Sequence, residues 1–210
     1  MKRFFLVVVL ALTTLSISAQ DKVFLEYDIY NHVEKTYRDR NFAIKLGAGV
    51  ADLSGANSYY ALSYKLAFSY DCRLWRGLYF IPEMDFVVKG SYPAEWENRL
   101  DLAYLQVPLC LAWKFELPKN MKLGIKAGPY AAVGLFGSTI KWDGGDESDV
   151  FNSNYGTNRF DAGVMLGVHF DFFAFTLGVE YSRGFIMVND DYRPFDGYNQ
   201  AVGATFGVRF

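Results

Sequence analysis

From Asn41 to the C-terminus the chain alternates apolar and small or polar side chains with a period of two, the mark of strands that face two different environments. In Asn41–Asp52, Phe42, Ile44, Leu46, Ala48 and Val50 point one way, while Ala43, Lys45, Gly47 and Gly49 point the other. The same alternation recurs in Tyr60–Asp71, Leu78–Ser91, Asp101–Phe115, Lys122–Phe136, Arg159–Asp171, Phe173–Arg183 and Gln200–Phe210. It predicts eight strands of about ten residues or more, the length a tilted strand needs to cross a bilayer.

The connections alternate too. Those near 72–77, 116–121 and 171–172 are short, whereas those near 52–59, 91–100, 137–158 and 184–199 are longer and richer in Asp, Asn, Gly and Ser. Short turns on one rim and long loops on the other predict an all-β fold: an eight-stranded antiparallel up-and-down transmembrane β-barrel with both termini on the short-turn, periplasmic side. Trp75 and Trp113 fall near the short-turn rim, and Tyr59, Tyr60 and Tyr92 near the other, as two membrane interfaces require.

Alternation alone does not say which face is inside. A secreted, lipocalin-like barrel would carry its apolar face inward and its charges outward. Here the polar face is dense in Gly, Ala and Ser, small enough for a narrow bore. It also holds charges of both signs: Lys45, Lys65, Lys89, Lys114, Lys126 and Arg209 against Asp71, Glu83, Asp85, Asp161, Asp171 and Glu180, with His169 among them. Mixed charges in a confined lumen can pair, as buried charges must. The opposite face is bulky Leu, Phe, Tyr and Val, which suits hydrocarbon. The bore of so small a barrel is filled by side chains, so a plug is expected rather than a channel.

The N-terminus departs from this pattern. Lys2 and Arg3, the apolar run Phe4 to Leu15, and the mostly small residues Ser16-Ile17-Ser18-Ala19 read as a signal peptide over 1–19. Residues 20–40, where the charged Asn31–Arg40 lacks a periodic face, read as an N-terminal periplasmic extension, and 41–210 as the barrel. After the leader no apolar run is long enough for a membrane helix. With 21 Lys and Arg against 23 Asp and Glu, nothing in the charge balance favours nucleic acid as a partner. An 18% aromatic content and 19 glycines fit a sheet with a lipid face and a filled interior. Cys72 and Cys110 fall on opposite faces of non-adjacent strands, so both are expected as free thiols.

Candidate chemistry is sparse. Catalysis in a barrel wall needs an acid–base group near the long-loop rim, commonly a His. Only His32 and His169 exist, and His169 lies near the short-turn end with Asp171 on its face and no evident serine to activate. The acidic run Asp143, Asp146, Glu147 and Asp149 lacks the spacing of a Ca²⁺ loop. No catalytic residue, metal site or cofactor is therefore expected. Pro82, Pro108 and Pro129 fall inside three consecutive strands, where each should force a bulge or an unpaired carbonyl.

The segments YLQVPLCLAWKF at Tyr104–Phe115, KLGIKAGPYAAVGL at Lys122–Leu135 and FDAGVMLGVHFDF at Phe160–Phe172, with IKLGAG at Ile44–Gly49, resemble the PorT-like outer-membrane β-barrel family across most of 41–210. The resemblance implies an outer-membrane barrel, in a family where some members are tied to protein secretion and catalytic residues are not a feature. A strand closing on Phe210 resembles the signal read by outer-membrane assembly machinery. The reading is a non-enzymatic integral outer-membrane protein acting through its long loops or envelope partners. Its expected partners are outer-membrane lipid and lipopolysaccharide, the assembly machinery, and secretion or envelope proteins. A place as accessory to a secretion machine and a small channel are the alternatives.

Overall fold

The computed structural model describes residues 40–93, 98–118, 121–141, 148–151, 157–188 and 197–210. The expected signal peptide, residues 20–39 of the expected extension, His32, and Asp143, Asp146 and Glu147 lie outside the described residues. Among the described residues ten strands form, all antiparallel: β1 (Phe42–Ser54), β2 (Ser58–Tyr70), β3 (Cys72–Trp75), β4 (Leu78–Pro93), β5 (Asn98–Leu117), β6 (Met121–Lys141), β7 (Ser148–Asp149), β8 (Phe160–Phe172), β9 (Phe175–Met187) and β10 (Tyr198–Arg209). Eight of them make the wall in the order β1-β2-β4-β5-β6-β8-β9-β10, and β10 pairs back onto β1 to close it. The short β3 continues the β2 edge onto β4, and β7 pairs with β6.

Closure removes the free edges that an open sheet would expose. It also sorts the side chains. The outward row of β1, β2, β5 and β8 includes Leu46, Leu62, Leu111 and Leu166, all more than half exposed, while Lys45, Asp85, Lys114 and Lys126 are buried. Burying cations while exposing leucines is the arrangement of a barrel in lipid, not in water. The seam is made at the chain end. The Phe210 amide donates to the Phe42 carbonyl at 2.8 Å, and the two rings lie 6.3 Å apart.

Several sequence-based boundaries move. The connection expected over 52–59 shrinks to three residues between Ser54 and Ser58, and β6 runs on to Lys141, because strands pair beyond the apolar band. Phe173 was expected to start a strand. It lies instead in the two-residue turn between Phe172 and Phe175, with φ +52°, and β9 starts at Phe175. The prolines do not bulge the wall. Pro82 pairs with Leu109, Pro108 with Tyr130 and Pro129 with Val164, each in the register of its flanking pairs. A strand residue bonds to one neighbour only, so each proline removes a single donor and the flanking pairs hold the register. The β5–β6 register shifts at Ala103/Tyr104 instead.

Candidate functional site

The inward side chains stack in three tiers, each of balanced charge. The lowest lies beside the chain ends. Asp71 leaves the ladder between β2 and β3, its amide donating to the Asn41 carbonyl, and its carboxylate turns inward. Lys114 of β5 and Arg209 of β10 each bridge Asp71 and Asp171; Lys114 Nζ is 2.8 Å and Arg209 Nη1 3.0 Å from Asp171 Oδ2. The Tyr79 ring lies 5.1 Å from Lys114 Nζ.

In the middle tier, Lys45, Lys65 and Lys126 face Glu83, Asp85 and Glu180. Glu83 Oε1 accepts from Lys45 and Lys126, both at 2.7 Å. Lys126 Nζ is also 2.6 Å from Glu180 Oε1, while Lys65 pairs with Glu180 and lies 2.9 Å from Asp85 Oδ2. A glycine makes one of these pairs possible. Lys126, Gly167 and Glu180 share one register row across β6, β8 and β9, so the two long side chains meet over a position without a Cβ. Gln106 pairs in register with Asp85 just above, and its carbonyl oxygen finds no hydrogen-bond partner among the described residues.

The upper tier is smaller and partly aromatic. Asp161 Oδ2 accepts from Tyr130 at 3.0 Å and Asn199 at 3.1 Å, and lies 3.5 Å from Lys89 Nζ. That ammonium is 5.4 and 5.0 Å from the Tyr104 and Tyr130 ring centres. Buried charges are tolerated where partners and hydrogen bonds surround them, and neutrality tier by tier meets that requirement.

Above the charges comes an apolar stopper that the alternation did not foretell. Val150 and Phe151, beyond β7, fold into the mouth against Leu53, Leu100, Leu102 and Val188. Phe151 meets Tyr104 edge-on at 6.0 Å and fills the space left by Gly134 and Gly137. Arg159 donates to the Phe151 carbonyl at 3.1 Å. No sequence signal marks these residues, because they belong to no periodic segment. Among the described residues the bore holds small cavities, two of them of about 20 and 50 Å³, space for a water or two.

His169 and Asp171 share a face, but no hydrogen bond joins them. Asp171 is engaged by Lys114 and Arg209, and among the described residues neither ring nitrogen of His169 has a hydrogen-bond partner. The imidazole lies instead over Gly124, its partner across β6–β8. Cys110 is buried and Cys72 partly exposed, both as free thiols. Among the described residues, no cluster of His, Cys, Asp and Glu could hold a metal ion.

The family model described as outer membrane protein beta-barrel domain matches residues 19–190. Neisserial surface protein A (NspA) has a similar structure: TM-score 0.52, 17% identity, covering 80% of this chain and 97% of that one. The outer membrane enzyme PagL is similar with TM-score 0.54 and 14% identity, over 80% of this chain and 99% of that one. At these identities the likeness is one of fold. No curated protein sequence matches the chain.

Proposed function

The chain belongs to the outer-membrane β-barrel domain family, and from that premise we propose that it is a non-enzymatic integral outer-membrane protein that works through its outer rim and its lipid face. The observation that carries the reading is the filled bore. Three neutral tiers and the Phe151 stopper occupy the lumen, which leaves the rim opposite the chain ends and the outward wall as surfaces for partners. Export by the signal peptide over 1–19 and contact with lipopolysaccharide and the assembly machinery at Phe210 belong to the same reading.

The PorT-like resemblance favours a second reading, an accessory of a protein secretion machine. In-cell photo-crosslinking separates the two. Probes at Tyr59 or Tyr92, on the outer rim, should form adducts if the rim recruits partners. Adducts confined to probes at Trp75 or Trp113 would move the function to the periplasmic side.

A further inference from the structure

The outward face carries one polar row that the barrel does not need for its own closure. Arg183 of β9 pairs in register with Gln200 of β10, and Gln200 with Asp52 of β1. Below this row the outward side chains of the three strands are apolar or tyrosine: Phe175, Leu177, Val179 and Tyr181 in β9; Val202, Ala204, Phe206 and Val208 in β10; Phe42, Ile44, Leu46, Ala48 and Val50 in β1. From Phe175 to Arg183 a tilted strand climbs roughly 20 Å, and the lipid-facing band of such barrels is about 25 Å tall. The row therefore lies near the upper edge of that band, where a long guanidinium side chain can reach up to the outer-leaflet headgroups.

The three polar groups are not equivalent. Asp52 is satisfied within the barrel: it accepts from the Leu53 amide at 2.7 Å and from the Ser58 hydroxyl, with Gln200 Nε2 at 3.5 Å. Arg183 is exposed, and no described residue forms an ion pair or hydrogen bond with it. Its other cross-strand partner is Val164, and Phe185, 61% exposed, follows it on the same face. Among the described residues its donors are free, and a guanidinium with Val164 on one side and the Gln200 amide on the other, within reach of the headgroups, matches a phosphate monoester in charge and bidentate geometry.

We propose that Arg183, with the Gln200 amide beside it, docks a phosphate group of an outer-leaflet glycolipid. Tyr181 and Leu166, one outward step down the wall, then meet the first carbons of its acyl chains. The proposal rests on the barrel lying in the outer membrane with this rim outward, and it adds a defined lipid subsite to that reading.

The test reconstitutes the full-length protein in detergent micelles and titrates it with phosphorylated lipid A, dephosphorylated lipid A and inorganic phosphate. Heat-modifiable gel migration confirms folding of each variant. Arg183→Gln should weaken binding of phosphorylated lipid A at least five-fold. Arg183→Lys should retain part of it, and Arg73→Gln, on the opposite rim, should leave it unchanged. Dephosphorylated lipid A should bind the wild type and Arg183→Gln equally. Equal binding of phosphorylated lipid A by the wild type and Arg183→Gln overturns the proposal. So does inorganic phosphate competing at the same concentration as the lipid, since the site would then take a soluble anion. Either result leaves the barrel assignment standing, which fails only if the wild type is a stable soluble monomer without detergent.

Discussion

Lys126 of β6 and Glu180 of β9 pair at 2.6 Å across the whole width of β8, passing over Gly167. The pair is buried, so its two halves are unequal in their absence. Lys126→Met removes one of the cations that hold Glu180 and one of those that hold Glu83, leaves the buried tier with an excess negative charge, and should destabilise the barrel by about 3–5 kcal/mol. Lys126→Met with Glu180→Leu keeps the tier neutral, through Lys45 and Lys65 against Glu83 and Asp85, and should recover most of that loss. Urea midpoints measured in lipid vesicles check both. Equal loss in the single and double variants would mean the tier is not held by charge balance.

The contact of His169 with Gly124 makes a second prediction. A methyl group at 124 would overlap the imidazole, so Gly124→Ala should cost about 1–3 kcal/mol. His169→Ala removes the obstacle, and the double variant should then be more stable than the sum of the singles by about 0.5–3 kcal/mol. Additive effects would place the imidazole elsewhere.

Leu109 is 45% exposed on β5, and Gln106, three residues away, is 2% exposed in the lumen. Leu109→Arg puts a charge near mid-bilayer and should cost about 2–4 kcal/mol, measured by equilibrium refolding into vesicles. Wild-type stability for this variant would invert the assigned facing.

A filled bore should not conduct. Planar-bilayer recordings of the wild type should show no single-channel steps. Phe151→Ala should show none either, since the stopper lies above tiers that still occupy the lumen. Steps in the wild type would favour the small-channel alternative.

Much of the wall was legible in the sequence because alternation reports facing residue by residue. Lys45, Glu83, Lys114 and Lys126 could be placed in the lumen from parity alone. Which of them touch was not legible, because partners such as Lys114 and Asp71 meet across the bore, and that depends on strand stagger. Asp171 shows the consequence: it shares a face with His169 yet binds two cations from distant strands. Val150 and Phe151 escaped for another reason, since a loop that folds into the mouth has no period to betray its burial. The Arg183–Gln200–Asp52 row was hidden as well. Each residue was visible at or near a strand end, but only the register sets them side by side.

The prolines supply the last prediction. Pro82 pairs with Leu109, and the register brings Pro129 level with Leu109 from the other side, with Pro108 one residue along. Beside them the ladders lapse without slipping: β4–β5 skips from Pro82↔Leu109 to Asp85↔Gln106, and β5–β6 skips from Pro108↔Tyr130 to Leu111↔Ala127. By contrast, β8–β9 pairs without interruption from Gly163↔Gly184 to Phe172↔Phe175. A backbone group without its ladder partner is costly in hydrocarbon, so this sector should open more readily than the rest. Amides of Met84, Leu109 and Cys110 should therefore exchange with deuterium faster than those of Val168 and Val179 in lipid nanodiscs. The prolines themselves carry no amide to report. Uniform protection around the barrel would show that flanking pairs compensate fully, and that the proline row is no weak point in the wall.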